Sequence, residues 1–262
     1  MKKLKSYICI ILITGIMLTL CMGCARKPEA VITSDGEDIT EEALEYPTLE
    51  VSHEQKFSYE DLVVGSLKYM MTEDDVRGML GTPANSYESK EKTESTTQSE
   101  FSEHVLSYNE LTLIFMPFDG VYRLTAAASV SSKDTFTRGI RVGDKLEDIL
   151  GLFYRDSDCM NNNYLAQDKT TVLGKYLYGN FTIEDLENVN TKAAVNYGLI
   201  NYSGASSIES AETYMVEFTC FDSRYKNTTA SINDDFAQLA FDLDNSGVIT
   251  GIRWYYYPEE NN

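Results

Sequence analysis

Residues 69–83 read YMMTEDDVRGMLGTP, and almost every position in them describes a short helix. Thr72 is a good N-cap, and Asp75 stands three residues later, where a carboxylate meets unsatisfied amides. Glu73 and Asp74 complement the positive end of the helix dipole. Val76, Met79 and Leu80 recur at i, i+3 and i+4, which predicts one apolar face. Gly81 suits the C′ position and Pro83 blocks continuation. The expected helix is about two turns long.

Downstream the period changes from helix to strand. Residues 86–103, SYESKEKTESTTQSEFSE, alternate weakly and read as an exposed strand, a long loop or both. HVLSY (104–108), ELTLIFM (110–116) and VYRLTAAASV (121–130) are β-rich runs. Asn109-Glu110 separates the first two, and Pro117 to Gly120 separates the last two, with Asp-Gly a strong hairpin signal. The same plan recurs further on. Asp144 and Glu147 form a D-x-x-E capping box, and Leu146, Ile149, Leu150 and Phe153 form an apolar helix face. GKYLYG (174–179), TYMVEFTCF (213–221), AQLAFDL (237–243) and VITGIRWYYY (248–257) follow as strand-like runs, the last two flanking the turn Asp244-Asn245-Ser246-Gly247. The expectation is an α+β protein of two tandem modules, each a short helix packed on an antiparallel β-sheet. The boundaries fall at 58–135 for the first module and 136–262 for the second, with an insertion rich in Asn and Tyr near 155–210.

The N-terminus carries a different signal. Lys2, Lys3 and Lys5 precede an apolar run at 8–20, and Gly23-Cys24 follows at once. The run is below the roughly 18 residues expected of a spanning helix and reads as a signal segment. A signal ending in a small residue and then Cys resembles the bacterial lipoprotein signal. That resemblance implies cleavage after Gly23 and a lipid on Cys24. The alternatives are an ordinary secreted signal and an uncleaved anchor. Two or more acyl chains would hold the protein stably at a bilayer surface. Residues 24–57 are acidic and poorly patterned, as in a flexible tether.

Composition narrows the partners. The chain has 41 acidic and 22 basic residues, a formal charge of −19. Loss of residues 1–23 removes three lysines and no acid, which leaves −22. Such charge repels nucleic acid. Cys159 and Cys220 lie outside the signal and anchor. If they pair, they close a span of 61 residues, for which chain entropy assigns about 4 kcal/mol. The alternative is two buried thiols.

MTEDDVRGMLGTP (71–83) resembles the opening motif of the small envelope lipoproteins of the SmpA/OmlA, or outer-membrane assembly, type. Met71-Thr72, Val76, Leu80-Gly81 and Pro83 carry the match. Two such units in tandem also look like the β-lactamase inhibitor protein architecture. The resemblance implies modules that bind other proteins and do no chemistry.

The catalytic inventory is thin. His53 and His104 are the two histidines, and neither stands near a Ser or Cys in a nucleophile motif. The pairs Asp74-Asp75, Glu147-Asp148 and Asp234-Asp235 suit helix caps and solvated faces. DLDNSG (242–247) matches the first half of an EF-hand loop, but Arg253 stands where the loop needs a bidentate Glu. A hairpin turn is the better reading, so no metal or cofactor is expected. Trp254, Tyr255, Tyr256 and Tyr257 form the densest aromatic cluster and a candidate binding surface. On a strand, Trp254 and Tyr256 share one face, and Tyr255 and Tyr257 the other.

These readings converge on a lipid-anchored protein at the extracytoplasmic face of the cell membrane, in a Gram-positive host. Its expected role is a non-catalytic module that binds an envelope or extracellular protein. The alternatives are an inhibitor of an extracellular protease, lactamase or wall hydrolase, and a carboxylate-dependent hydrolase.

Overall fold

A computed structural model describes residues 56–91, 101–166, 168–179, 196–202, 204–221 and 236–257. The signal segment, Cys24 and all of the tether but its last two residues lie outside them. The described residues belong to one compact unit, Pro47–Asn262.

The expected strands form, and they form one sheet. β1 (Val63–Val64) and β2 (Leu67–Lys68) make a small ribbon near the start. β3 (Asn85–Glu91), β4 (Phe101–Tyr108), β5 (Leu111–Phe118) and β6 (Val121–Ser129) make an antiparallel meander. β7 (Asn163–Leu165), β8 (Val172–Tyr178), β9 (Tyr197–Asn201), β10 (Thr213–Phe221), β11 (Phe236–Asp244) and β12 (Ile249–Tyr257) make a second. The Asp119-Gly120 turn has positive φ at both residues, 49° and 78°, as the tightest hairpins require. In the β11–β12 turn, Asp244 Oδ1 accepts from Ser246 N at 2.9 Å and Val248 N at 3.0 Å. That carboxylate shapes the hairpin turn.

The expectation of two tandem helix-on-sheet modules is corrected by the pairing of β6 with β12. Ile252, Arg253, Trp254 and Tyr255 register with Ser129, Ala128, Ala127 and Ala126. The last strand of each meander would otherwise be an exposed edge with unpaired amides and carbonyls. Their pairing gives one ten-stranded antiparallel sheet, in the order β3-β4-β5-β6-β12-β11-β10-β9-β8-β7. The fold is therefore largely β. The region near 155–210 supplies β7, β8 and β9 to this sheet.

Two α-helices occur among the described residues, both short. α1 (Glu73–Leu80) has the expected cap, with Thr72 Oγ1 accepting from Asp75 N at 3.1 Å, and ends at Gly81 with φ 78°. Its expected apolar face is corrected: Val76 is fully buried, whereas Met79 and Leu80 are exposed. α2 (Leu146–Leu152) starts one residue later than expected. Asp148 rather than Glu147 closes the first turn, accepting from Lys145 N at 2.9 Å, while Asp144 accepts from Arg141 N. Its apolar face is as expected, with Leu146, Ile149, Leu150 and Phe153 all buried.

The helices cover one face of the sheet. The register runs a row across nine strands on that face: Tyr178, Gly198, Phe218, Leu239, Trp254, Ala127, Leu113, Leu106 and Ser86. From Tyr178 to Leu106 this row is buried. Phe153, just past α2, stacks on Phe218 with ring centres 4.3 Å apart. Gly198 is obligatory, because a Cβ there would lie 2.8 Å from the Tyr178 ring and 2.9 Å from that of Phe218.

Two polar clusters fasten the layers. Asp61 is buried and accepts from Thr137 Oγ1 at 2.5 Å, Arg138 Nε at 2.9 Å, Arg138 Nη2 at 3.0 Å and Ser58 N at 3.0 Å. Arg138 also donates to the carbonyls of Lys56 and Leu152 and lies 3.9 Å from the Phe153 ring centre. At α1, Glu73 meets Arg77 Nε and His104 Nδ1, each at 2.8 Å, and His104 stacks on Tyr122. Burial raises the Glu73 carboxyl, but its bonds to His104 and Arg77 outweigh this and hold it below the usual range. Its stabilising contribution is therefore complete above the ordinary carboxylate range and is lost as pH falls through the lowered value. Glu73→Gln should cost about 1 kcal/mol at neutral pH, and the difference from the parent should vanish in strong acid. Urea unfolding at several pH values measures this.

Candidate functional site

The other face of the sheet carries no described helix. Its central row crosses eight strands: Tyr197, Thr219, Gln238, Tyr255, Ala126, Ile114, Val105 and Tyr87. Burial alternates accordingly along β5. Leu111, Leu113 and Phe115 are buried on the covered side, while Thr112, Ile114 and Met116 are partly exposed on the open side. The same alternation places Met215, Glu217 and Phe221 of β10, and Phe236, Gln238 and Asp242 of β11, on the open face, each partly exposed.

A charged and aromatic cluster spans β9 to β12 on this face. Arg253 is nearly buried and pairs with Asp242 through Nη1, while Nη2 lies 3.0 Å from Met215 Sδ. Small neighbours make room for it. Ala240 and Ala128 flank it in register, and Gly251 faces Asp242, where a Cβ would lie 3.3 Å from Oδ2. Burial works to lower the Arg253 guanidinium, but Asp242 outweighs it and keeps the group charged.

Glu217 lies in the same cross-strand row, with only Ala240 between it and Arg253. Tyr197 donates its hydroxyl to Glu217 Oε1 at 2.7 Å. Burial pushes the Glu217 carboxyl up, against the opposing effects of Tyr197, Arg253 and Gln238. Burial, then the charge of Glu217, pushes Tyr197 well above the ordinary phenol value. A raised carboxyl favours the folded state most below its ordinary pKa, and that advantage is lost as pH rises through the raised value. Glu217→Gln keeps an acceptor for Tyr197 and removes the titration. Its stability relative to the parent should rise between pH 4 and pH 8, a trend read from denaturation midpoints.

The aromatic run of β12 divides as alternation requires. Trp254 is fully enclosed on the covered face, so it offers no surface, and this corrects its place in the candidate binding set. Tyr256 is on the same side, half-buried, with ring centres 6.0 Å from Tyr59 and 5.4 Å from Tyr69. Tyr255 and Tyr257 face the open side, Tyr255 buried and Tyr257 half-buried. There Tyr257 stacks on Phe236 at 4.3 Å, and Phe236 meets Phe221 at 5.7 Å. Burial pushes the Tyr257 hydroxyl up, and it finds no hydrogen-bond partner among the described residues.

Periodicity separated the two β12 pairs but did not single out Phe221, Phe236, Glu217 or Arg253. Their signal is present: Glu217 and Arg253 are the charged residues inside the otherwise uncharged runs TYMVEFTCF and VITGIRWYYY. Cys159 and Cys220 are both buried. Among the described residues no group of three or more His, Cys, Asp or Glu is placed to hold a metal ion, and no helix is long and apolar enough to cross a membrane.

No protein-family model, curated protein or solved structure matches this chain. Its functional reading therefore rests on its own residues. This face carries aromatic rings, aliphatic side chains and a neutralised charge pair, with Tyr255, Thr219, Ala126 and Val105 of its central row buried and Ile114, Met116, Phe236 and Tyr257 partly exposed. Such a surface suits macromolecular recognition, where aromatic anchors and desolvated polar groups supply most of the binding energy.

Proposed function

We propose that this chain is a lipid-anchored protein of the extracytoplasmic membrane face, held through Cys24, whose open sheet face binds a partner protein without chemistry of its own. The observation that carries the reading is the asymmetry of the sheet. One face is closed under α1, α2 and the segment leading into the domain. The other keeps Ile114, Met116, Phe236 and Tyr257 partly exposed, with no described helix over them. Exposed apolar patches mark interaction sites, and these partly exposed side chains are the ones this face offers. The lipid signal supports a partner in the envelope or outside the cell. Inhibition of an extracellular enzyme would use the same face, and an activity assay on the captured partner separates an inhibitor from an adaptor.

The test is a crosslinking pull-down from native membranes with the full lipidated protein and with the double variant Ile114→Asp, Met116→Asp. Both positions are only partly buried, so the variant should fold, as its melting curve will show. One recurrent partner should come down with the parent and fall at least tenfold with the variant. Equal recovery with both would contradict the open-face reading.

A further inference from the structure

The two edges of the ten-stranded sheet are built differently. β7 is three residues long, with a register shift between Tyr164 and Leu165, a shape that resists further pairing. β3 is seven residues long and pairs with β4 through all seven positions without a shift. It contains no proline and no glycine, and no described strand lies beyond it. Every second residue of such an edge turns its N–H and C=O outward. Only another extended backbone presents acceptors and donors at the matching spacing.

Side chains flank this edge on both faces. Tyr87, at 52% exposure, is on the open face beside Val105. On the covered side, four residues separate the end of α1 from the start of β3. The helix is held there by Arg77 Nη2 donating to Ser86 Oγ at 3.4 Å and Tyr108 donating to the Gly81 carbonyl at 3.1 Å. Met79 and Leu80, at 48% and 39% exposure, are at that end. Asp74 and Asp75, in the first turn of α1, and Glu88 of β3 are exposed acids. The backbone row would supply affinity, and the apolar groups on either side would supply selection of alternate side chains.

We propose that β3 is a strand-addition site. It accepts an extended segment of a partner protein as an eleventh strand, apolar at alternate positions and carrying positive charge. The inference rests on the protein-binding reading above but uses the edge rather than the open face.

The test begins with a photo-crosslinking residue at Tyr87 of the full lipidated chain, and a control at Leu165 on β7. The crosslinked segment of the captured protein is then made as a synthetic peptide, and amide hydrogen exchange of the chain is followed with it. Amides within 85–91 should slow at alternate residues by tenfold or more, with β7 unchanged. Proline supplies the second arm. Of the adjacent residues 88 and 89, one directs its N–H to β4 and the other outward. One of Glu88→Pro and Ser89→Pro should therefore keep the parent melting temperature, and that variant should lose the adduct and the protection.

Four results would overturn the proposal: no adduct at Tyr87, an adduct with a second copy of this chain, protection confined to other strands, or an adduct that survives the tolerated proline. If the open-face double variant keeps its partner while the tolerated proline loses it, the open-face reading fails and strand addition stands. The converse result has the converse meaning.

Discussion

Trp254→Ala is expected to lower the unfolding free energy by about 3–5 kcal/mol. Trp254 is the chain's one tryptophan and is fully enclosed. It stands opposite Ala127 on one side and Leu239 on the other, so its ring fills the seam where the two meanders join. The alanines of β6 cannot close over the cavity its loss would leave, because they contribute no side chain that reaches it. Whole-domain stability is typically about 5–15 kcal/mol, so one substitution would remove a large part of it. Trp254→Phe should cost less. Nε1 has no hydrogen-bond partner among the described residues, so phenylalanine also removes a buried unsatisfied donor. Urea unfolding followed by circular dichroism compares all three forms without relying on the lost fluorophore. Equal stability of parent and alanine variant would show that the seam is not packed as described.

Asp61→Ala should cost about 3–5 kcal/mol, for a different reason. The carboxylate gathers four donors from Ser58, Thr137 and Arg138. Its removal takes the carboxylate away from the Arg138 guanidinium, which is largely enclosed against Phe153 and also donates to the carbonyls of Lys56 and Leu152. An uncompensated charge in such a place costs more than the pair itself contributes. The double variant Asp61→Leu, Arg138→Met should therefore be more stable than Asp61→Ala alone, while Thr137→Val should lose about 1 kcal/mol. These values come from a double-mutant cycle at low temperature. Additive losses would mean that the two groups do not act together.

Much of the local structure can be read from the residues. Thr72 caps its helix, Asp119-Gly120 and Asp244 to Gly247 turn their hairpins, and the alternation in β5, β10 and β11 marks their two faces. The global arrangement cannot be read in the same way. The seam joins residues more than a hundred positions apart, and on the β6 side it is made by Ala126, Ala127 and Ala128, whose side chains mark neither face. Two aromatic pairs alternate in β12, so periodicity separates Trp254 from Tyr255 without showing which of them the helices cover. Met79 and Leu80 obey helical spacing but are exposed, and nothing described covers them. The two closing hairpins, β5–β6 and β11–β12, were visible in their turns. Their merging into one sheet was not, since edge-to-edge pairing leaves no mark on side-chain pattern.

The open face is tested most directly by two photo-crosslinking residues in the full lipidated chain on native membranes. One replaces Met116 on the open face, and the other replaces Glu147 on the exposed side of α2. Capture of one recurrent protein from Met116 and none from Glu147 is the expected result. Capture from Glu147 alone, or equally from both, would contradict the assignment of the open face as the binding surface.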